Sequence, residues 1–384
     1  MKTFNKTERI LSAKRKLSLI ACAALCASLL CACSESGANS SSSSSAGETS
    51  AVSKAEVVSK ADYDTSSATE SDSDTDTSAA DDTSSAAKSD SSADSNGDDE
   101  TSSITPAMWK VTDDKGRTMT MLGSFHALKD ECYPLPKTLT DAYNSADILA
   151  VECDITMTNE DGEYMKNLMK QMLYNDGTTL KDHISEDGMK ILGEYLATWG
   201  MSTDALQAYR PWAVSSTLDS LLIQDMDFDS DKGIDNYLLE LAHSENKEIY
   251  EVESVDFQMN MLINFSDDIY DLMFRSLEGE TQETQKQSME ELYEAWKSGD
   301  TDKFIEEDDD DELSAQTADD EKIAEDYNNQ MLYDRNKTMA AAIEKLLDED
   351  KNVFYVVGAA HYVGEGGILD LLEKDGYTVE RIEY

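Results

Sequence analysis

The chain has 384 residues and carries 80 acidic against 32 basic side chains, a formal net charge of −48, with only four histidines. So large an acidic excess excludes nucleic acid and anionic lipid surfaces as partners of the folded face, because like charges repel at such contacts. Hydrophobic residues make up 40% of the chain, enough for one sizeable core but not distributed evenly along it.

The first segment reads as an address. Lys2, Lys6, Arg9, Lys14, Arg15 and Lys16 precede the apolar stretch Leu17–Ala32, which is the length of a signal-peptide core and marginal for a bilayer span. It ends Leu30-Cys31-Ala32-Cys33-Ser34, which resembles the lipobox of bacterial lipoproteins: Leu three before, a small residue just before, then the cysteine. Residues 1–32 are therefore expected to be a lipoprotein signal peptide, cleaved to leave Cys33 lipidated. An ordinary secretory signal and an uncleaved anchor are the alternatives. Cys31 is a poorer acceptor, since bulky Leu30 would occupy the position before cleavage. Diacylation supplies the two chains that stable anchoring requires. The expected location is the cell membrane, lipid-anchored on its extracytoplasmic face.

Residues 35–105 hold almost nothing but Ser, Thr, Ala, Asp and Glu, with 16 acidic and 3 basic side chains and Tyr63 as the only aromatic. Such a segment cannot bury enough apolar surface to offset chain entropy. Residues 33–105 are thus expected to be a lipidated N-terminus followed by a disordered tether, with at most a transient helix at Ala51–Lys60.

The remaining residues, 106–384, contain 63 acidic and 23 basic side chains and are expected to form one folded domain. Met108–Thr112 and Thr118–Leu122 flank Asp113-Asp114-Lys115-Gly116 and read as a β-hairpin. Pro134-Leu135-Pro136 forces an extended segment ahead of a helix over Leu139–Ser145. Asp147–Val151 is a buried-strand run. Helical stretches follow at Glu163–Leu173, Ser185–Trp199, where Ser185 with Glu186 and Asp187 marks a start, and Thr203–Gln224. Pro211 also reads as a first-turn proline. Gly233–His243 places Ile234, Tyr237, Leu238 and Leu241 at helical spacing. A short strand at Glu248–Val252 leads to a helix over Val255–Ile263. Residues 267–348 read as mostly helical, ending in a long helix from about Asp319 to Leu347, with a break near Tyr333 left open. Glu306–Glu312 is an unbroken acidic run without the spaced ligands and central glycine of an EF-hand, so it reads as a solvated loop. Val353–Val357 is the most apolar strand, followed by a helix over Ile368–Lys374, Gly376, and a strand over Tyr377–Ile382. Strands at both ends with helices between predict an α/β or α+β fold. It would have a central mixed sheet, a large helical insertion or cap, and a closing β-turn-α-β unit. Cys132 and Cys153 are compatible with a disulfide in an exported protein, and spacing leaves their pairing open.

The chemistry points to two histidines in one frame. Met119-Thr120-Met121-Leu122-Gly123-Ser124-Phe125-His126 and Val353-Phe354-Tyr355-Val356-Val357-Gly358-Ala359-Ala360-His361 both run from an apolar strand through Gly-x-x-His. That frame puts an imidazole just past a strand's carboxyl end, where α/β sheets keep their ligands. If His126 and His361 converge, Glu152 and Glu253 end core strands nearby. Two imidazoles with Glu152 suit a divalent transition metal, manganese, cobalt or zinc. Such an ion turns bound water into a nucleophile near neutral pH. A metal-free relay between histidine and glutamate, as in an esterase, is the other chemistry open to the same residues. No His-Glu-x-x-His helix and no Gly-x-Ser-x-Gly elbow is present. The bland readings are definite too. Both histidines could be unrelated polar residues at strand ends. Glu152 could cap a turn or pair with Arg335 or Arg210, Glu253 could serve a helix start, and Arg335 could form a surface ion pair. His183 and His243 lack the strand-end frame, and Trp212 reads as core.

These residues, in this order, resemble the TraB/GumN family, which is similar to the Tiki metalloproteases and the ChaN/erythromycin-esterase-like group. The resemblance runs over most of residues 107–384. It is carried by Trp109-Lys110-Val111, Gly123-Ser124-Phe125-His126 with Pro134-Leu135-Pro136, Val151-Glu152, Arg210-Pro211-Trp212 and Gly233-Ile234-Asp235. Glu253-Ser254 with Gln258, Arg335-Asn336, and Gly358-Ala359-Ala360-His361 with Gly364, Gly367, Leu371, Leu372 and Gly376-Tyr377-Val379 complete it. The acidic section 266–325 departs from the pattern. The resemblance implies a sheet-based α/β fold with His126, Glu152 and His361 at the active site and Glu253 and Arg335 in support. In the Tiki branch it implies a metal-dependent peptidase. The expected function is a metal-dependent hydrolase acting on peptides or proteins. A non-catalytic surface protein that captures a peptide or an exported protein is the alternative.

Overall fold

The computed structural model describes residues 104–158, 162–304, 317–349 and 351–384. The expected signal peptide, Cys33, the tether up to residue 103 and the acidic run Glu306–Glu312 lie outside the described residues. The expected tether end at 105 is corrected: Ile104 is buried in the core and Thr105 N–H donates to the Lys297 carbonyl. The expected hairpin forms: β1 (Met108–Thr112) and β2 (Thr118–Ser124) pair antiparallel, with Gly116 at φ +82° in the turn. Then come α1 (Lys137–Ser145), β3 (Ile148–Val151), α2 (Gly162–Gln171), α3 (Glu186–Thr198), α4 (Pro211–Asp225), α5 (Ile234–Glu245) and β4 (Glu248–Glu251). After these follow α6 (Val255–Ile263), α7 (Asp267–Arg275), α8 (Gln282–Ser298), α9 (Ala318–Asn328) and α10 (Asp334–Leu347). The chain closes with β5 (Val353–Gly358), the single turn α11 (Ala359–Tyr362), α12 (Ile368–Lys374) and β6 (Thr378–Arg381).

The fold is mixed α/β, built on one six-stranded sheet in the order β4-β3-β5-β2-β1-β6. β4, β3, β5 and β2 run parallel, and β1 is antiparallel to both of its neighbours. The four parallel strands therefore deliver their carboxyl ends to one edge. All six residues of β5 are buried, as a central parallel strand covered on both faces requires. One face, with Leu122, Leu149, Val151, Phe354 and Val356, packs on α1, α5, α8 and the end of α4. The other, with Trp109, Val111, Met121, Ala150, Tyr355 and Val357, packs on α10 and α12. A third core lies between the helices themselves, where α2, α3, α6 and α7 meet the start of α4. It is the expected helical insertion. α4 is buried along most of its length because Trp212 and Val214 serve this core while Leu222 and Ile223 serve the sheet.

One expected helix is corrected, and three points left open are filled in. Thr203–Gln224 is not one helix: Thr203–Leu206 makes a short 3-10 turn, Arg210 is extended, and α4 begins at Pro211. Proline lacks the N–H an interior turn needs and disfavours helix in the residue before it. The long helix from Asp319 is continuous in direction but widens to a π turn at Asn329–Tyr333. The closing unit is present, but β6 does not lie beside β5. The chain crosses over β2 and β1, and β6 pairs antiparallel with β1. Cys132 and Cys153 are both free, Cys132 against the Tyr293 hydroxyl at 3.0 Å and Cys153 against Gln258 at 3.5 Å.

Candidate active site

The carboxyl ends of the four parallel strands carry His126, Glu152, Glu253 and, one helical turn beyond Gly358, His361. β2 runs on through Phe125, whose ring packs among Phe228, Tyr293 and Trp296, while Trp296 donates to the Gly123 carbonyl at 2.9 Å. His126 is thus held at a fixed height above the sheet. The start of α5 docks directly on this segment: Ile234 N–H donates to the Phe125 carbonyl at 3.1 Å. Gly233 is required there, because a Cβ would run into the His126 carbonyl group. That docking brings Asp235, at the second position of α5, to 2.7 Å from His126 Nδ1.

His361 is 2% exposed, and its Nδ1 lies 2.7 Å from the Asn336 amide oxygen. The Asn336 amide nitrogen is engaged elsewhere, donating to the Gly366 carbonyl. An amide oxygen only accepts, so His361 carries its proton on Nδ1 and presents Nε2 as a lone pair. His126 likewise gives Nδ1–H to a carboxylate. His361 Nε2 lies 3.8 Å from Glu152 Oε1, and His126 Nε2 and the Cδ2 edge of His361 border the same point. Gly358 marks it. A Cβ on that residue would stand 3.2 Å from Glu152 Oε1, 3.4 Å from His126 Nε2 and 3.6 Å from His361 Cδ2. The glycine keeps the centre of the site open.

Glu152 is fixed from three directions. Its Oε1 accepts the Gly358 N–H at 2.8 Å, and its Oε2 accepts Arg335 at 2.6 Å and Gln258 at 2.9 Å. Arg335 comes from the first turn of α10, is 4% exposed, and also grips Glu253 through Nε and Nη2 at 2.8–3.2 Å. Gln258 bridges both glutamates. Glu253 precedes the N-cap of α6, which is Ser254, so its carboxylate serves the arginine and not the helix end. Arg335 is buried in the site rather than paired at the surface.

Burial alone would raise the pKa of Glu152. The charges of Arg335, His361 and His126 and the Gly358 N–H overcome it and hold the carboxyl well below the usual carboxylate range. Burial would lower His126, yet the charge and hydrogen bond of Asp235 carry it up to about 9. Burial and then the charge of Arg335 push His361 down to about 3, against the pull of Glu152. Glu152 is accordingly far too acidic to serve as a general base near neutral pH and suits an anionic ligand or a fixed charge. The 19% side-chain exposure of His126, against 2% for His361 and 11% for Glu152, makes it the ring that solvent reaches.

The donor set fits a divalent transition metal in kind and orientation. Each imidazole has its Nδ1 held by an outer acceptor, leaving Nε2 as the nitrogen a metal would take, the arrangement typical of metal-bound histidine. His361 Nε2 and Glu152 Oε1 stand 3.8 Å apart, slightly more than the edge of a tetrahedral shell with bonds of about 2.1 Å. The fit in spacing is looser: among the described residues no three His, Cys, Asp or Glu side chains are drawn together closely enough to enclose an ion.

Other candidates stay outside. His183 bonds Asp267 and Thr178, and His243 bonds Asp154, as satisfied polar residues. Arg210 donates to the Leu173 carbonyl and Trp212 is core. Burial pushes the Cys132 and Cys153 thiols up, away from nucleophilic character. The residues that orient the site, Asp235, Asn336 and Gln258, have no chemical signature in the sequence. Only the ordered family pattern contains them.

The geometry defines a sheet-edge site with two oriented imidazoles around a pinned carboxylate. Residues 107–381 match the TraB/PrgY/gumN family, and the chain belongs to it. The chain is 26% identical to the uncharacterized protein YbaP of Escherichia coli K12 over 157 residues, 41% of this chain and 56% of that protein. It is 34% identical over 65 residues to a metalloprotease TIKI homolog of Nematostella vectensis, 16% of this chain and 14% of that protein. With human metalloprotease TIKI1 it shares 38% identity over 53 residues, 13% and 10% of the two chains. The chain thus spans about half of its bacterial relative and a small part of the animal ones. No solved structure matches it.

Proposed function

We propose that this protein is a lipid-anchored, extracytoplasmic hydrolase that acts on peptides or proteins with a divalent metal ion, manganese, cobalt or zinc, at His126, His361 and Glu152. The observation that carries this reading is that His126 Nε2, the His361 ring and Glu152 Oε1 border the gap left by Gly358, each ring oriented through its Nδ1. A metal bound there would polarise a carbonyl and activate water near neutral pH. In this reading Glu152 is a ligand, Arg335 and Gln258 hold it, and Glu253 positions Arg335. The peptide substrate class is taken from the distant TIKI metalloproteases. Cys33 would carry the lipid, and residues 34–103 would give the domain its reach from the membrane.

The test is metal content and cleavage. The full chain, purified as wild type, His126→Ala and His361→Ala, is analysed for bound manganese, cobalt and zinc and incubated with a diverse peptide mixture. Metal and cleavage in wild type, both lost in the two variants, support the reading. Equal, negligible metal in all three with cleavage retained would leave only a metal-free relay. A second reading, capture of a peptide without turnover, is favoured by the saturation of both Glu152 oxygens with internal donors. Saturable retention without products would establish it. Cys33→Ala is expected to release the protein from the membrane fraction or to leave an unprocessed precursor; unchanged attachment and mobility would point to an uncleaved anchor.

A further inference from the structure

Ser124 is the last residue of β2, two positions before His126, and is 2% exposed. Its partner across the parallel ladder is Gly358. Register partners in neighbouring strands project from the same face of a sheet, and at Gly358 that face opens on the centre of the site. Strands lie about 4.8 Å apart, so the Ser124 Cβ flanks the centre at about that distance and its Oγ has one bond more of reach. Yet this hydroxyl is buried without a hydrogen-bond partner. The polar groups around it are taken: the Gly123 carbonyl by Trp296, Glu152 Oε1 by the Gly358 N–H, and the two Nδ1 atoms by Asp235 and Asn336. Buried hydroxyls without a partner are uncommon because they lose water and gain nothing in return, and alanine would remove the loss. What remains uncommitted about the centre is Ser124 Oγ and the two Nε2 atoms.

We propose that Ser124 is a further catalytic residue, whose hydroxyl hydrogen-bonds the water oxygen that attacks the substrate carbonyl. The proposal rests on the hydrolase reading above. Ser124 forms no covalent bond and moves no proton in this role; it fixes where the water stands. It is not a covalent nucleophile, because Oγ bonds neither imidazole and an activated serine needs its base within that reach.

The experiment uses the full chain with MnCl2 and a fluorescence-quenched casein probe, comparing wild type, Ser124→Ala and Ser124→Thr. Ser124→Ala is expected to match or exceed the wild-type Tm and to bind manganese equally. Its kcat should fall about 100-fold, as when one preorganised donor is removed, with KM little changed. Ser124→Thr, which keeps the hydroxyl, should recover most of that loss. An alanine variant with wild-type kcat would show the hydroxyl to be idle and overturn the proposal. So would a loss that follows a lowered Tm and that threonine does not restore, which is a packing role, or an acyl adduct on Ser124 found by mass spectrometry. Absence of cleavage by wild type would instead defeat the hydrolase reading, and the proposal with it.

Discussion

Replacing Arg335 by methionine tests the charge architecture most directly. The guanidinium is 4% exposed and donates to Glu152 at 2.6 Å and to Glu253 at 2.8–3.2 Å, with a further bond to the Met331 carbonyl at 3.2 Å. Methionine fills much of the volume but leaves two buried carboxylates, with Gln258 as the donor they share. Both acid oxygens sit within 2.8 Å of the same arginine nitrogen, so they are no more than about 5.4 Å apart. At an effective dielectric near 20 their repulsion is about 3 kcal/mol. Removing one partner of a buried ion pair costs about 3–5 kcal/mol, so the two routes agree and overlap rather than add. For a domain of this size that is a fall in Tm on the order of 10 °C. Urea unfolding followed by circular dichroism measures it, and Arg335→Met/Glu253→Gln supplies the control. The double variant removes one of the stranded charges and should recover at least about 1–2 kcal/mol relative to Arg335→Met alone. Acidification provides a second check. Arg335 is the largest influence holding the folded pKa of Glu152 below its unfolded value, so wild type gains stability from it above the unfolded pKa and loses that gain as pH falls. In Arg335→Met the depression is largely gone, so the gap between variant and wild type should narrow between pH 7 and pH 3, nearly all of it below about pH 5. A loss under about 1 kcal/mol, equal at both pH values and untouched by Glu253→Gln, would refute the reasoning.

Gly358→Ala places a methyl 3.2 Å from Glu152 Oε1 and 3.4 Å from His126 Nε2, tight but clear of backbone. Stability should change by no more than about 1 kcal/mol while metal retention and any cleavage are lost, as elemental analysis and the peptide assay would show. Gly233→Ala meets the His126 carbonyl group and must lift the start of α5, which costs about 2–3 kcal/mol in urea unfolding. Asp219 on α4 is 5% exposed, one carboxylate oxygen has no partner, and burial pushes its pKa well above the ordinary value. Its neutral form is favoured in the fold, so stability falls as pH rises from the unfolded pKa toward the folded one. Asp219→Asn should therefore be more stable than wild type at pH 7 by at least about 1 kcal/mol, with the advantage vanishing near pH 4; a constant difference across that range would count against it.

The parts of this fold that could be read in advance are those set by neighbouring residues. α6 and α12 begin and end where apolar spacing puts them, Val255–Ile263 and Ile368–Lys374, because Ser254 and Gly367 stop the chain from extending backward and a turn closes each. The hairpin of β1 and β2 follows from Asp113-Asp114-Lys115-Gly116, since Gly116 supplies the positive φ the turn needs. Strand order was not legible in the same way. β6 is a short, mostly exposed strand, and nothing in Thr378–Arg381 distinguishes β1 from β5 as its neighbour; the crossover length of α12 allows either. The site divides along the same line. A Gly-x-x-His frame announces itself because the strand before it is apolar and the histidine is rare. Asp235 does not, because its importance comes from Gly233 letting a distant helix touch His126. Asn336 is a polar residue on a charged helix until His361, 25 positions later, folds against it.

Two frames that match in sequence become unequal in the fold, and their partners make them so. His126 leans on a carboxylate and touches solvent, whereas His361 leans on an amide and is sealed. Asp235, paired with His126, and Glu152 and Glu253, paired with Arg335, share a cluster with that one obligate cation, so with both imidazoles neutral it holds a formal charge of −2. A buried excess of that size must be answered, since unpaired charge away from water is far costlier than any hydrogen bond can repair. A proton on His126 Nε2 answers half of it, on the side where solvent can deliver one. A divalent cation held by His126, His361 and Glu152, as proposed above, would answer all of it. The carboxylates around Arg335 are thus more numerous than a structural ion pair needs. That surplus is what a cation in the proposed site beside Gly358 would offset.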